Sequence, residues 1–155
     1  MSTIEVTNIN DVSGNASLVT DNGGLKTDKL TGKTTAGSIA VTGEGNSTTT
    51  NLQQGLCKSW CSFSGDDHVL DDSLNVGSVT DLATGRHQPN FSNNMGNGDY
   101  SVTASAIGNS DSYSLCTSDT GANATDHFSF YVRHNGTNAA DDTSKVQTTV
   151  HGDLA

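Results

Sequence analysis

Residues 55–80 read GLCKSWCSFSGDDHVLDDSLNVGSVT. The run holds the only tryptophan, Trp60, and two of the three cysteines, Cys57 and Cys61. Two strand-like segments flank the polar turn SGDD, and Trp60, Phe63, Leu70, Leu74, Val76 and Val79 form the densest set of large apolar side chains in the chain. Apolar positions in short runs on either side of a turn cluster predict a β-hairpin. We read it as the first hairpin of a small β-sandwich.

Downstream, strand-sized pieces need a surface to pack on. The candidates are Leu56–Phe63, Ser73–Thr80, Arg86–Phe91, Tyr100–Ile107, Ser112–Thr117, His127–His134 and Lys145–His151, separated by Gly-, Asn- and Asp-rich turns. Seven short strands at regular spacing predict an antiparallel sandwich with a jelly-roll-like character. Tyr100/Val102/Ala104/Ala106 and Phe128/Phe130/Val132 alternate cleanly, so one face of each strand is apolar. The expected core is Trp60, Phe63, Leu74, Val76, Tyr100, Val102, Phe128, Phe130 and Val132. Pro89 lacks a backbone N–H and is expected to mark an edge or a bulge.

Upstream, the chain is too polar to build a core of its own. Residues 1–24 offer a short alternating strand at Ile4 and Val6 and a DNGG turn, and are expected to dock on a larger partner. Residues 25–54 are Thr- and Gly-rich, with one alternating pair at Ile39 and Val41. Alone, such a segment is a linker; as one of three entwined copies it is a thread of short strands that shares its few apolar residues. The expected division is therefore a docking segment (1–24), a thread (25–54) and a head (55–155). Fully stretched, the first two would reach roughly 180 Å.

Composition supports an all-β, partner-dependent protein. Only 32% of residues are apolar and 5% aromatic, with 17 glycines and one proline. Ser, Thr, Asn and Asp compete with the helix for backbone hydrogen bonds, whereas Thr and Val suit strands. Seventeen acidic residues against seven Lys and Arg give a net charge of −10, which disfavours nucleic acid and anionic membrane surfaces. Cys57 and Cys61, four apart, stand about 13 Å from one another in a strand, too far for a disulfide. Three mostly buried thiols are expected, and no CxxC motif points to zinc. MSTIEVTNIN lacks the basic and apolar regions of a signal peptide, and no run approaches a membrane span. The N-x-S/T sequons at Asn15, Asn46, Asn90, Asn123 and Asn135 are then by-products of composition.

Chemistry-bearing residues are sparse in pattern. Five histidines among many Ser and Asp residues invite a hydrolase triad, but no GxSxG elbow is present and no catalytic residue is expected. His127 and His134, seven apart, fall on opposite strand faces and cannot chelate one metal. The pairs Asp66-Asp67, Asp71-Asp72 and Asp141-Asp142 fit no calcium-loop frame and read as solvated turns. No metal or cofactor is expected. Trp60 suits either a sugar-stacking platform or the core; its apolar neighbours favour the core. Tyr113 and Tyr131 are better exposed, and Tyr131 alternates out of the apolar face beside Arg133. Tyr113, Tyr131, Arg133 and His134 are the candidate ligand-binding residues; an ordinary solvated face or a trimer interface is the competing reading.

Lys58–Gly65 (KSWCSFSG), Asp72–Asp81 (DSLNVGSVTD), Thr84-Gly85 and Met95–Val102 (MGNGDYSV) occur in an order that resembles a C-terminal domain of phage tail-fibre and related virion proteins, especially those of marine and cyanobacterial viruses. Gly43-Glu44-Gly45 and Thr50–Leu56 resemble the lead-in of such fibres. The likeness covers roughly residues 43–102. Leu74 stands where the pattern has Phe, Cys61 where it has an aliphatic residue, and RHQPNFSNNM departs from the alternating run that follows. The resemblance implies a homotrimeric virion protein whose N-terminal arm attaches to tail or capsid proteins and whose C-terminal head faces a host-surface glycan or protein. It brings no catalytic motif. A capsid decoration protein and, less favoured, a glycan-degrading enzyme are the alternatives.

Overall fold

A computed structural model of the chain describes residues 29–30, 39–42, 48–108 and 114–153. The chain divides into two compact units, Met1–Gly32 and Lys33–Ala155, and almost all described residues lie in the second. The strand and turn expected in residues 1–24 lie outside the described residues. Within the expected thread, β1 (Ala40–Thr42) pairs antiparallel with β2 (Thr49–Asn51), placing Val41 opposite Thr50. A single helical turn, α1 (Leu52–Gly55), follows; the Asn51 side chain caps it by accepting from the Gln54 N–H.

The remaining strands are β3 (Ser59–Phe63), β4 (Leu70–Leu74), β5 (Val76–Ala83), β6 (Arg86–Phe91), β7 (Ser101–Ile107), β8 (Ser114–Asn123), β9 (Phe128–His134) and β10 (Lys145–His151). They form two four-stranded antiparallel sheets, ordered β4-β3-β10-β7 and β5-β6-β9-β8. The described part is thus all-β with a single short helical turn, as composition demands. The sequential pairs β3–β4, β5–β6 and β8–β9 each lie as a hairpin inside one sheet, an order unlike that of a jelly roll.

The two sheets close on one core. Cys61, Phe63, Val146 and Val150 come from the first sheet; Val76, Phe91, Phe128, Phe130 and Val132 come from the second. Met95 and Tyr100, both in the β6–β7 connection, complete it, with Val102 packed against the cluster. The Tyr100 ring meets Phe91 edge-on at 5.7 Å, and its hydroxyl donates to the carbonyls of Ala124 and His127 at 2.9 and 2.7 Å. Burial pushes that phenol up to about 12.

Three expectations are corrected here. Ser73–Thr80 is not one strand: Asn75 adopts φ 58°, a left-handed conformation that Asn tolerates. The chain there leaves the first sheet as β4 and enters the second as β5. Trp60 and Leu74 are not in the core. Strand β3 alternates with Ser59, Cys61 and Phe63 inward, so Trp60 faces outward, opposite Leu74, which is 46% exposed. Finally, β6 is an interior strand despite Pro89. Its pairing to β9 covers Arg86 and His87, then lapses at the proline and resumes only as a bridge between Asn90 and His127.

Candidate functional site

The outward parity of Trp60 opens a groove on the surface of the first sheet. On the open face of β4-β3-β10-β7, cross-strand register sets side chains in rows. One row runs Leu74, Trp60, Thr149, Thr103; the next runs Asp72, Ser62, Gln147, Ser105. Between them lies a groove of about 370 Å³, lined by Trp60, Ser62, Thr103, Ser105, Gln147 and Thr149, with Cys61, Ala104 and Thr148 beneath. Strands are about 4.8 Å apart and same-face residues about 6.8 Å apart, so the three-strand footprint measures roughly 10 by 7 Å. The volume falls in the range of small-molecule sites.

The chemistry of this groove is uniform. One side chain is a flat aromatic; the others are hydroxyls and an amide, able both to donate and to accept hydrogen bonds. Among the described residues, no Lys, Arg, Asp or Glu lines it. The nearest charges are marginal. Asp72 ends the second row, with one carboxylate oxygen accepting from the Ser73 N–H at 2.8 Å. Lys145 is ion-paired with Asp71 at 3.4 Å, and the same Asp71 oxygen accepts from the Ser62 hydroxyl at 3.2 Å. Beneath the groove, the Cys61 thiol lies 3.1 Å from the Thr148 hydroxyl. Burial pushes the Cys61 thiol up to about 11, against the opposing effect of that hydrogen bond, so it is a packing group and not a nucleophile. Cys57, Cys61 and Cys116 are all free thiols.

The residues singled out for ligand contact lie elsewhere and separate. Tyr131 and Arg133 share the outer face of the second sheet. The Arg133 guanidinium sits 4.7 Å from the Tyr131 ring centroid and that of Arg86 5.6 Å, so the ring is flanked by two cations. Arg86 also donates from Nε to Asp119 at 2.6 Å, and Asp119 accepts from Ser129 at 3.0 Å. His134 does not join them. Its Nδ1 accepts from the Gly136 and Thr137 N–H groups at 3.0 and 3.3 Å and so holds the β9–β10 turn. Tyr113 lies outside the described residues.

A second cluster was hidden by the polar look of RHQPNF. His87 is fully buried among Phe63 and Phe130, with ring centroids 5.5 and 5.8 Å away. Its Nδ1 lies 3.0 Å from Nε2 of His68, which occupies the β3–β4 turn at φ 61° and is 3.7 Å from Asp81. The other nitrogen of His87 is buried and has no hydrogen-bond partner among the described residues. Burial, then the charge of His68, pulls the His87 pKa below its ordinary value. The acidic pairs act in turns: Asp67 accepts from the Val69 N–H, and Asp142 from the Gly85 N–H at 2.6 Å. Among the described residues, no group of three or more His, Cys, Asp or Glu is placed to hold a metal ion.

Comparison with family models, curated proteins and solved structures finds no match to this chain.

Proposed function

We propose that the chain is an exposed structural protein of a bacteriophage particle, a tail fibre or short spike, whose β-sandwich head recognises a host-surface glycan through the Trp60 groove. The observation that carries the binding part is the placement of the sole tryptophan on an open sheet face among hydroxyl and amide side chains. A core tryptophan needs no such lining. An aromatic plane offers an apolar surface to the C–H face of a sugar ring, and Ser, Thr and Gln satisfy its hydroxyls.

The virion part rests on the sequence resemblance of residues 43–102 and on the composition. Residues 1–24 dock on tail or capsid proteins, and residues 25–54 associate three chains. The net charge of −10 keeps the exposed head soluble and clear of nucleic acid. No chemistry on the glycan is part of the proposal.

The test is binding of the purified full chain to host cells and to an array of host-surface glycans, beside Trp60→Ala and Arg133→Ala. Glycan-dependent binding that Trp60→Ala abolishes and Arg133→Ala leaves intact supports the reading. Binding lost only with Arg133→Ala transfers recognition to the second sheet. Binding to neither cells nor glycans removes the receptor role and favours a decoration protein of the shell.

A further inference from the structure

The lining of the groove says more than that it takes a sugar. We infer that the Trp60 groove selects neutral glycans, built of uncharged hexoses or their N-acetyl forms, and rejects uronate-, sialate- and sulfate-bearing ones. This deepens the glycan reading of the same face and rests on it.

The argument is one of unpaired charge. A carboxylate or sulfate leaving water needs a cationic or multiple N–H partner; desolvated without one, it costs several kcal/mol. Arg supplies such a partner bidentately and Lys as a point charge. The groove has neither. Its polar side chains, Ser62, Thr103, Ser105, Gln147 and Thr149, are neutral and offer hydroxyls and one amide. Lys145, on the same face of β10 as Gln147, is already paired with Asp71. Asp72 ends the Ser62 row and adds repulsion from the β4 side. The chain as a whole is anionic, so long-range fields also turn acidic polymers away. Trp60 with Thr149 and Thr103 in one row, and Ser62, Gln147 and Ser105 in the next, match a ring with an apolar face and an uncharged rim.

Because Trp60 is the only tryptophan, its emission reports the groove directly. The experiment titrates the full chain with two sets of oligosaccharides of equal length, one neutral and one carrying uronate or sialate. The expected result is a saturable emission change with neutral sugars and affinity at least about tenfold weaker for acidic ones, a difference of about 1.4 kcal/mol. Acidic sugars that bind as well or better overturn this inference while leaving glycan recognition standing. No emission change with either set overturns both. A second variant keeps the cause in view: Gln147→Lys puts a cation at the centre of an exposed row without touching the core. It is expected to raise affinity for the acidic set about tenfold relative to the neutral set. An unchanged ratio shows that charge is not what the groove reads.

Discussion

Strand β3 carries two large aromatic residues three positions apart, and the structure assigns them to opposite faces. Phe63 is fully buried against His87 and opposite Val146, whereas Trp60 stands on the outer face. Truncating Phe63 to Ala removes a ring from a closed core and leaves a cavity, at a cost of about 3–5 kcal/mol. Truncating Trp60 to Ala removes a partly exposed ring whose cross-strand neighbours, Leu74 and Thr149, lie with it on the outer face. Such pairs contribute about 0.2–1 kcal/mol, so the loss is expected to stay near 1 kcal/mol or below. With a urea m-value of about 2 kcal/mol/M, the midpoint falls by roughly 2 M for Phe63→Ala and by no more than about 0.5 M for Trp60→Ala. Far-ultraviolet circular dichroism is the suitable signal, since Trp60→Ala deletes the fluorophore. A Trp60→Ala loss of 3 kcal/mol or more, or a Phe63→Ala loss below 1 kcal/mol, would reverse the parity of β3 and close the groove.

Further outcomes follow from the core and the assembly. His87 has a lowered pKa in the fold, from burial and from His68, while Asp81 and Asp142 act in the opposite direction. Its ordinary value is 6.5, so the unfolded chain takes up a proton that the folded chain resists. Stability is therefore fully present above about pH 6.5 and declines as pH falls below it; His87→Phe should flatten that slope in denaturant midpoints measured from pH 7.5 to 5. Gly85 adopts φ 65°, and a Cβ there would sit 2.5 Å from the Val132 carbonyl oxygen and 2.6 Å from the Asp141 nitrogen. Gly85→Ala is expected to cost at least about 1–3 kcal/mol in thermal or urea unfolding; a neutral result would contradict the turn geometry. Light scattering of the full chain should give a mass near 48 kDa, three times the 16.0 kDa chain; a monomer would remove the entwined thread.

Much of the sandwich is legible in the residues. Arg86–Phe91 and Lys145–His151 have the expected bounds, because turn residues bracket both and period-two alternation runs through the second. The break at Asn75 is not legible, since polarity alternates straight through it; only a positive φ at one tolerant residue sends the chain to the other sheet. The apolar company of Trp60 points to the core, although its spacing of three from Phe63 places the two on opposite faces. Cys61, in step with Phe63, was the available signal. His87 carries no apolar signal at all. It is buried because it alternates with Pro89 and Phe91 on the inward side of β6, which only the sheet register discloses. The groove could not be read from β3 alone, because its rows combine β3, β7 and β10, which register brings together from distant parts of the chain.

The proposed receptor surface is the open face of β4-β3-β10-β7. Its most direct test is residue-by-residue amide chemical-shift mapping of the full chain during titration with a neutral oligosaccharide. Perturbations are expected to gather on Trp60, Ser62, Thr103, Ser105, Gln147 and Thr149, with Tyr131 and Arg133 unmoved. Shifts centred on Tyr131, Arg133 and Arg86, or none that saturate, would contradict it.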